Sequence, residues 1–79
     1  MREVRGDTPL YKVERLLSVD LDHIEADTLA GLVYESLKRV PEENEVLLVD
    51  DLQIVIKKMR GPKIVLAKVL RLDHEAVPL

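Results

Sequence analysis

The stretch DTLAGLVYESLKRVPEENE, residues 27–45, constrains this chain more than any other. It holds a helix cap, an apolar stripe and a stop. Asp27 or Thr28 can accept a backbone N–H at a helix start, and Asp27 also complements the positive end of the helix dipole. Leu29, Leu32, Val33 and Leu37, with Val40 as an extension, recur at helical spacing and form one stripe. Glu35 and Arg39 stand four apart in the favourable order, worth about 0.3 kcal/mol. Lys38 and Arg39 suit the negative end of the dipole. Pro41 stops the helix, because the residue before a proline is pushed towards extended conformations. Glycine inside a helix costs about 1 kcal/mol against alanine, so Gly31 predicts close approach of the helix backbone to a sheet or to another helix. Glu42–Glu45 read as a polar turn, with Asn44 suited to a left-handed position.

The segments around this helix complete an order. Val4, flanked by charges, suits an edge strand, and Gly6-Asp7 signals a turn. Thr8 as N-cap and Pro9 in the first turn predict a helix over 9–17, with Leu10, Val13, Leu16 and Leu17 on its apolar side. Leu10–Val13 also suits a strand. Residues 18–26 form an acidic connector pinned by Leu21 and Ile24. Three strands follow, over 46–49, 52–59 and 63–72, joined by Asp50-Asp51 and by Arg60-Gly61-Pro62. The predicted fold is α+β in the order β-α-α-β-β-β. It is a two-layer sandwich with both helices on one face and an antiparallel C-terminal meander.

Seventy-nine residues allow one domain, with a core over about 4–72, and at this size a single core is only marginally sufficient. Hydrophobic residues make up 47%, too many for a disordered tail. A net charge of −3 and an aromatic content of two tyrosines argue against nucleic acid as a partner. The lack of cysteine excludes disulfides, thiol nucleophiles and cysteine-ligated zinc, and suits a reducing compartment. The apolar runs are too short to cross a bilayer, and the start lacks the apolar core of a signal peptide.

One feature of the meander bears on function. Leu47, Val49, Val55, Val65, Leu70 and Leu72 cannot all share a face with Leu48, Ile54, Ile56, Ile64 and Leu66, because strand side chains alternate. A one-sided antiparallel sheet should be polar outside, and this one is not. A bulge in the last strand would bring some of these residues inward. The remainder predicts a second face covered by another subunit or another domain.

Candidate chemistry is sparse. Asp20, Asp22, His23, Glu25 and Asp27 could offer oxygen ligands to a hard cation, but they lack the register of a calcium loop and equally suit a solvated connector. His23 and His74 are far apart, without ligand spacing to each other. Lys57, Lys58, Arg60, Lys63 and Lys68 cluster on the last hairpin. They could meet phosphate, an acidic partner or lipid headgroups, or simply guard the sheet against unwanted pairing. Thr8, Ser18, Thr28 and Ser36 lack a nucleophile's context, and Gly6, Gly31 and Gly61 form no phosphate-cradling loop. The sequence therefore assigns no catalytic, cofactor-binding or metal-ligating residues and no cofactor, and it reads as a non-enzyme. The alternative is a sensor for an adenine nucleotide or a divalent cation. It would use Lys57, Lys58 and Arg60 or the acidic connector.

The segments 6–21, 27–45 and 52–72 together resemble the CorC/HlyC transporter-associated domain. The most specific part is Asp27-Thr28-Leu29-Ala30-Gly31-Leu32-Val33, followed by Val40-Pro41 and Glu45. Asn44 stands where that family usually has glycine. The resemblance implies a domain at the cytoplasmic C-terminus of haemolysin-like, magnesium/cobalt-efflux or sodium/proton antiport proteins. In the haemolysin-like and efflux proteins it would follow a pair of CBS domains, and the implied role is to modulate ion transport. It also implies a fold similar to part of certain FAD-binding domains, with no established catalytic residues. On that basis the chain is expected to be the C-terminal piece of a longer membrane protein; the apolar second sheet face adds the expectation of self-association.

Overall fold

The computed structural model describes residues 1–72. Its elements are β1 (Arg2–Arg5), α1 (Leu10–Leu17), α2 (Leu29–Leu37), β2 (Val46–Val49), β3 (Leu52–Arg60) and β4 (Lys63–Arg71). The order and the number of elements are those the sequence predicts. The sheet runs β1-β4-β3-β2 and is antiparallel throughout. The N-terminal strand therefore closes the sheet beside the last strand, and β2 is left as the opposite edge. His74 and the rest of 73–79 lie outside the described residues.

Of the two caps that the sequence allows for α2, the structure uses Thr28. The Thr28 hydroxyl accepts the Gly31 N–H at 3.1 Å. Its end differs. Lys38 adopts a left-handed conformation (φ 58°) and donates its N–H to the Tyr34 carbonyl. The helix thus closes at Leu37, several residues before Pro41 can act, by a left-handed cap of the kind that satisfies the last carbonyls. Val40 consequently leaves the stripe and is exposed, while Pro41 is buried. Arg39 is no longer on the helix, so it cannot pair with Glu35. It binds Glu45 through both guanidinium nitrogens instead, and Glu35 pairs with Lys38. Asn44 has φ 70°, as its turn requires.

Thr8 does not cap α1, whose N-cap is Pro9 and has no side-chain hydrogen bond. The reason is tertiary. Leu10 N–H donates to the Asp27 carbonyl, Leu29 N–H to the Thr8 carbonyl and Ala30 N–H to the Gly6 carbonyl. The starts of the two helices are laced to each other, so orphan donors that a side-chain cap would satisfy are already met. The helical reading of 10–13 holds over the strand reading. Leu16 points to solvent and Leu17 is half-buried, so the apolar face of α1 rests mainly on Leu10 and Val13.

The core lies between the helices and one sheet face. Leu21, Leu29, Leu32, Leu52, Ile54, Ile56 and Ile64 are essentially fully buried. Each such side chain contributes about 2 kcal/mol by leaving water. Leu21 and the half-buried Ile24 pin the connector, as expected. Register across the β2–β3 hairpin sets the faces: Leu47 opposes Ile54 and Val49 opposes Leu52, so Leu47 and Val49 join the inner set. Leu48 goes with the outer set, not with Ile54 and Ile56 as grouped from the sequence. The β3–β4 register breaks between Ile56 and Met59. That irregularity lets Ile64 and Ala67, three apart in β4, both face inward.

Gly6 is the glycine on which packing depends. A Cβ there would lie 2.1 Å from the Ile64 carbonyl oxygen. Gly31 approaches neither the sheet nor α1. An added Cβ would meet only Ala26 Cβ and Thr28 Oγ1, each at 3.4 Å. The close approach expected at Gly31 belongs to Gly6.

Candidate functional site

The outer sheet face is built by β-strand alternation alone. Leu48 opposes Gln53, which opposes Leu70, and Val46 opposes Val55, which opposes Lys68. Beyond Lys68 lies Glu3, and Arg5 opposes Leu66. The half of this face near β2 is mainly apolar: Val46 is 53% exposed, Leu48 65% and Leu70 37%, around a half-buried Val55, with Gln53 standing between Leu48 and Leu70. The half near β1 mixes Glu3, Arg5 and Lys68 with Leu66. The apolar second face inferred from the sequence is therefore present, concentrated on one side of the sheet.

The basic hairpin is also present. Lys57, Lys58, Arg60 and Lys63 are exposed, whereas Lys68 is half-buried on the outer face and stands apart from them. Arg60 and Lys63 face each other across the Gly61-Pro62 turn, where Gly61 takes φ 57°. With Arg5 and Asp7 they line a small polar cleft of 220 Å³. Arg5 Nε donates to Asp7 at 3.3 Å across that cleft. Beside it lies an open, mainly apolar groove of 580 Å³ between the start of α2 and the hairpin turn, walled by Ala30, Tyr34, Val40, Pro62 and Ile64. Tyr34 donates its hydroxyl to the Pro62 carbonyl and fastens the turn to the helix.

The acidic connector divides. Asp20 and Asp22 come together with Glu14 of α1, each offering a carboxylate oxygen within 4.8 Å of the others. Glu14 accepts the Leu21 N–H at 2.7 Å, and Asp20 accepts the Asp22 N–H at 3.0 Å. Repulsion from Glu14, and then from Asp20, raises the Asp22 pKa above its usual range. Glu25 and Asp27 do not join this group. His23 instead meets Asp50 of the β2–β3 turn, 2.5 Å away. Glu14 is the residue that sequence reasoning missed, because only the return of the connector along α1 brings it to Asp20. After α2, Arg39 holds the Glu45 carboxyl below its usual range, chiefly by hydrogen bonding.

A family model described as the CorC/HlyC transporter associated domain matches residues 3–73. The chain belongs to this family. Solved structures agree. A protein of unknown function from Haemophilus influenzae Rd KW20 shares 30% identity, with 89% of this chain and 86% of that chain covered and a TM-score of 0.80. The associated region of a Mg²⁺ and Co²⁺ transporter, CorC, from Neisseria meningitidis MC58 shares 21%, over 89% of this chain and 86% of that one, at TM-score 0.81. The transporter associated domain of a CBS domain protein from Porphyromonas gingivalis shares 21%, over 90% and 87%, at TM-score 0.77. No curated protein matches the chain. The α+β fold of these domains is the fold found in this chain, and its family role is that of a transporter-associated domain. No helix among the described residues is long and apolar enough to cross a membrane.

Proposed function

We propose that this chain is a non-enzymatic regulatory domain of an ion transporter or haemolysin-like membrane protein. In this reading it works at the cytoplasmic face of the membrane, downstream of transmembrane and CBS domains, and biases transport by docking. The observation that carries the reading is the apolar half of the outer sheet face. Val46, Leu48 and Leu70 are exposed together on a sheet whose other face is already filled by two helices. Grouped apolar exposure of this kind marks an interaction surface. A docked domain with different contact areas in two transport states shifts their balance by the difference in docking energy. The family membership and the CBS-domain neighbour support the setting.

Binding of the chain to the cytoplasmic region preceding it in its parent protein tests the proposal. Leu48→Lys should weaken that binding at least tenfold, about 1.4 kcal/mol, while leaving the fold intact. Unchanged binding would reject the outer face as the docking surface.

A second reading, a divalent-cation sensor, has one observation behind it: the Glu14, Asp20 and Asp22 carboxylates within 4.8 Å. Hard cations take such oxygen sets. A ligand bound only by the folded state must raise its melting temperature. Under the docking reading Mg²⁺, Co²⁺, ATP, AMP and FAD all leave the melting temperature unchanged. A rise with Mg²⁺ that disappears in Asp22→Asn would favour the sensor.

A further inference from the structure

The two edges of the sheet are not equivalent. Edge β1, Arg-Glu-Val-Arg, carries charge at three of its four positions. Edge β2, Val-Leu-Leu-Val, carries none, and it holds two of the most exposed apolar residues of the molecule, Val46 and Leu48. Charged side chains are the usual guard against strand addition, and β2 lacks them.

The backbone of β2 specifies what can pair with it. In an antiparallel ladder, bonded and non-bonded pairs alternate. Glu45 faces β3 through its carbonyl, which accepts the Ile56 N–H at 2.9 Å, while the Ile56 carbonyl accepts the Asn44 N–H at 2.6 Å. Leu47 with Ile54 and Val49 with Leu52 continue that parity. Val46 and Leu48 therefore turn their N–H and C=O groups away from β3, towards the open side. These are the two β2 residues whose side chains are exposed on the outer face.

We propose that β2 pairs with β2 of a second copy of this chain, antiparallel about a two-fold axis at Leu47, and joins the two sheets into one. The proposal deepens the docking reading, because Val46 and Leu48 belong to the same patch, and it names the occupant of the edge. Register follows from parity and symmetry. Open residues must meet open residues, and only pairing Val46 with Leu48 of the second copy uses both open positions of each strand without entering the turn at Asp50. That register gives two symmetry-related pairs, each exchanging two hydrogen bonds. It sets Val46 beside Leu48 on the outer face and Leu47 beside Leu47 of the second copy on the inner face. A strand without charge can meet itself in this way with no like charges opposed within the pair. The acids at its ends are already engaged inside each copy, Glu45 by Arg39 and Asp50 by His23.

Amide exchange on the 79-residue chain, read with its sedimentation, tests the pairing. In the monomer the Leu47 and Val49 amides are protected by β3, and those of Val46 and Leu48 exchange freely. As concentration rises, the mass should double and exchange at Val46 and Leu48 should slow about tenfold once most chains are paired, with Leu47 and Val49 unchanged. Leu48→Pro removes the outward N–H along with the leucine side chain, at a position where an edge strand tolerates proline, and should abolish both changes. Leu48→Thr keeps the backbone donor and should retain the pairing, more weakly. A mass that stays monomeric at every concentration overturns the proposal. So does a dimer that forms without slowing of the Val46 and Leu48 amides. A dimer that survives Leu48→Pro and is lost in Leu48→Thr assigns association to the outer side chains, leaving the docking reading standing without the edge pairing.

Discussion

The inner face of the sheet and the exposed aliphatic residues on the β2 side of its outer face are made from the same residue types, yet they do opposite things. On the inner face Leu47, Val49, Leu52, Ile54, Ile56, Ile64, Ala67 and Val69 are buried against α1 and α2. On the outer face Val46, Leu48 and Leu70 meet solvent. Composition does not separate the two sets; parity does. A leucine at position 47 is core and a leucine at 48 is surface, because one step along a strand reverses the side chain. An apolar residue on the inner face is thus committed to folding, whereas one on the outer face remains available to a partner.

The contrast can be broken most forcefully from the inside. Ile54→Ala leaves a cavity in a fully buried site and should cost about 3–4 kcal/mol, read from the midpoint of chemical denaturation. If the loss were below about 1 kcal/mol, the inner face would not be the core. Gly6→Ala comes next. Its new Cβ collides with backbone at Ile64, which cannot swing aside, so β1 and β4 must separate locally at a cost of about 2–3 kcal/mol. Gly31→Ala sharpens the same point in reverse. Its Cβ meets only Ala26 and Thr28 at 3.4 Å, and alanine is the better helix former, so stability should rise by about 0.5 kcal/mol. A clear loss at Gly31 would restore the close-packed account that the sequence suggested. On the outer face Leu48→Thr should change the stability of the monomer by less than about 0.5 kcal/mol, while weakening any association.

The smallest effects are electrostatic and belong to neither face. By NMR titration, the Asp22 carboxyl should titrate above the usual aspartate range and Glu45 below the usual glutamate range. The signs oppose. Glu45, with its folded pKa depressed by Arg39, favours the fold above its unfolded pKa, and that contribution is lost as pH falls through the folded value. Asp22, with its folded pKa raised by Glu14, favours the fold in acid, and that contribution is lost as pH rises through the folded value. Glu14→Gln, which removes the largest source of the repulsion, should bring the Asp22 titration back towards the usual aspartate range, which a second titration would check.

Features set by neighbours in the chain were legible in the sequence. These include the Thr28 cap, the stripe of Leu29, Leu32 and Val33, the left-handed turn at Asn44, both hairpins and the order of elements. Each depends on local backbone preference or on periodicity. The excess of apolar residues in the meander also showed that the sheet has two apolar faces, since alternation is a local rule. Tertiary structure decided the rest. It placed β1 beside β4, made Gly6 rather than Gly31 the point of close contact, and brought Glu14 to Asp20 and Asp22. It also satisfied the start of α1 from Asp27, a job the sequence gives to Thr8, and set Leu47 inward and Leu48 outward. Each of these depends on a partner far away in the chain or on a register fixed by the whole sheet, and no local periodicity carries that information.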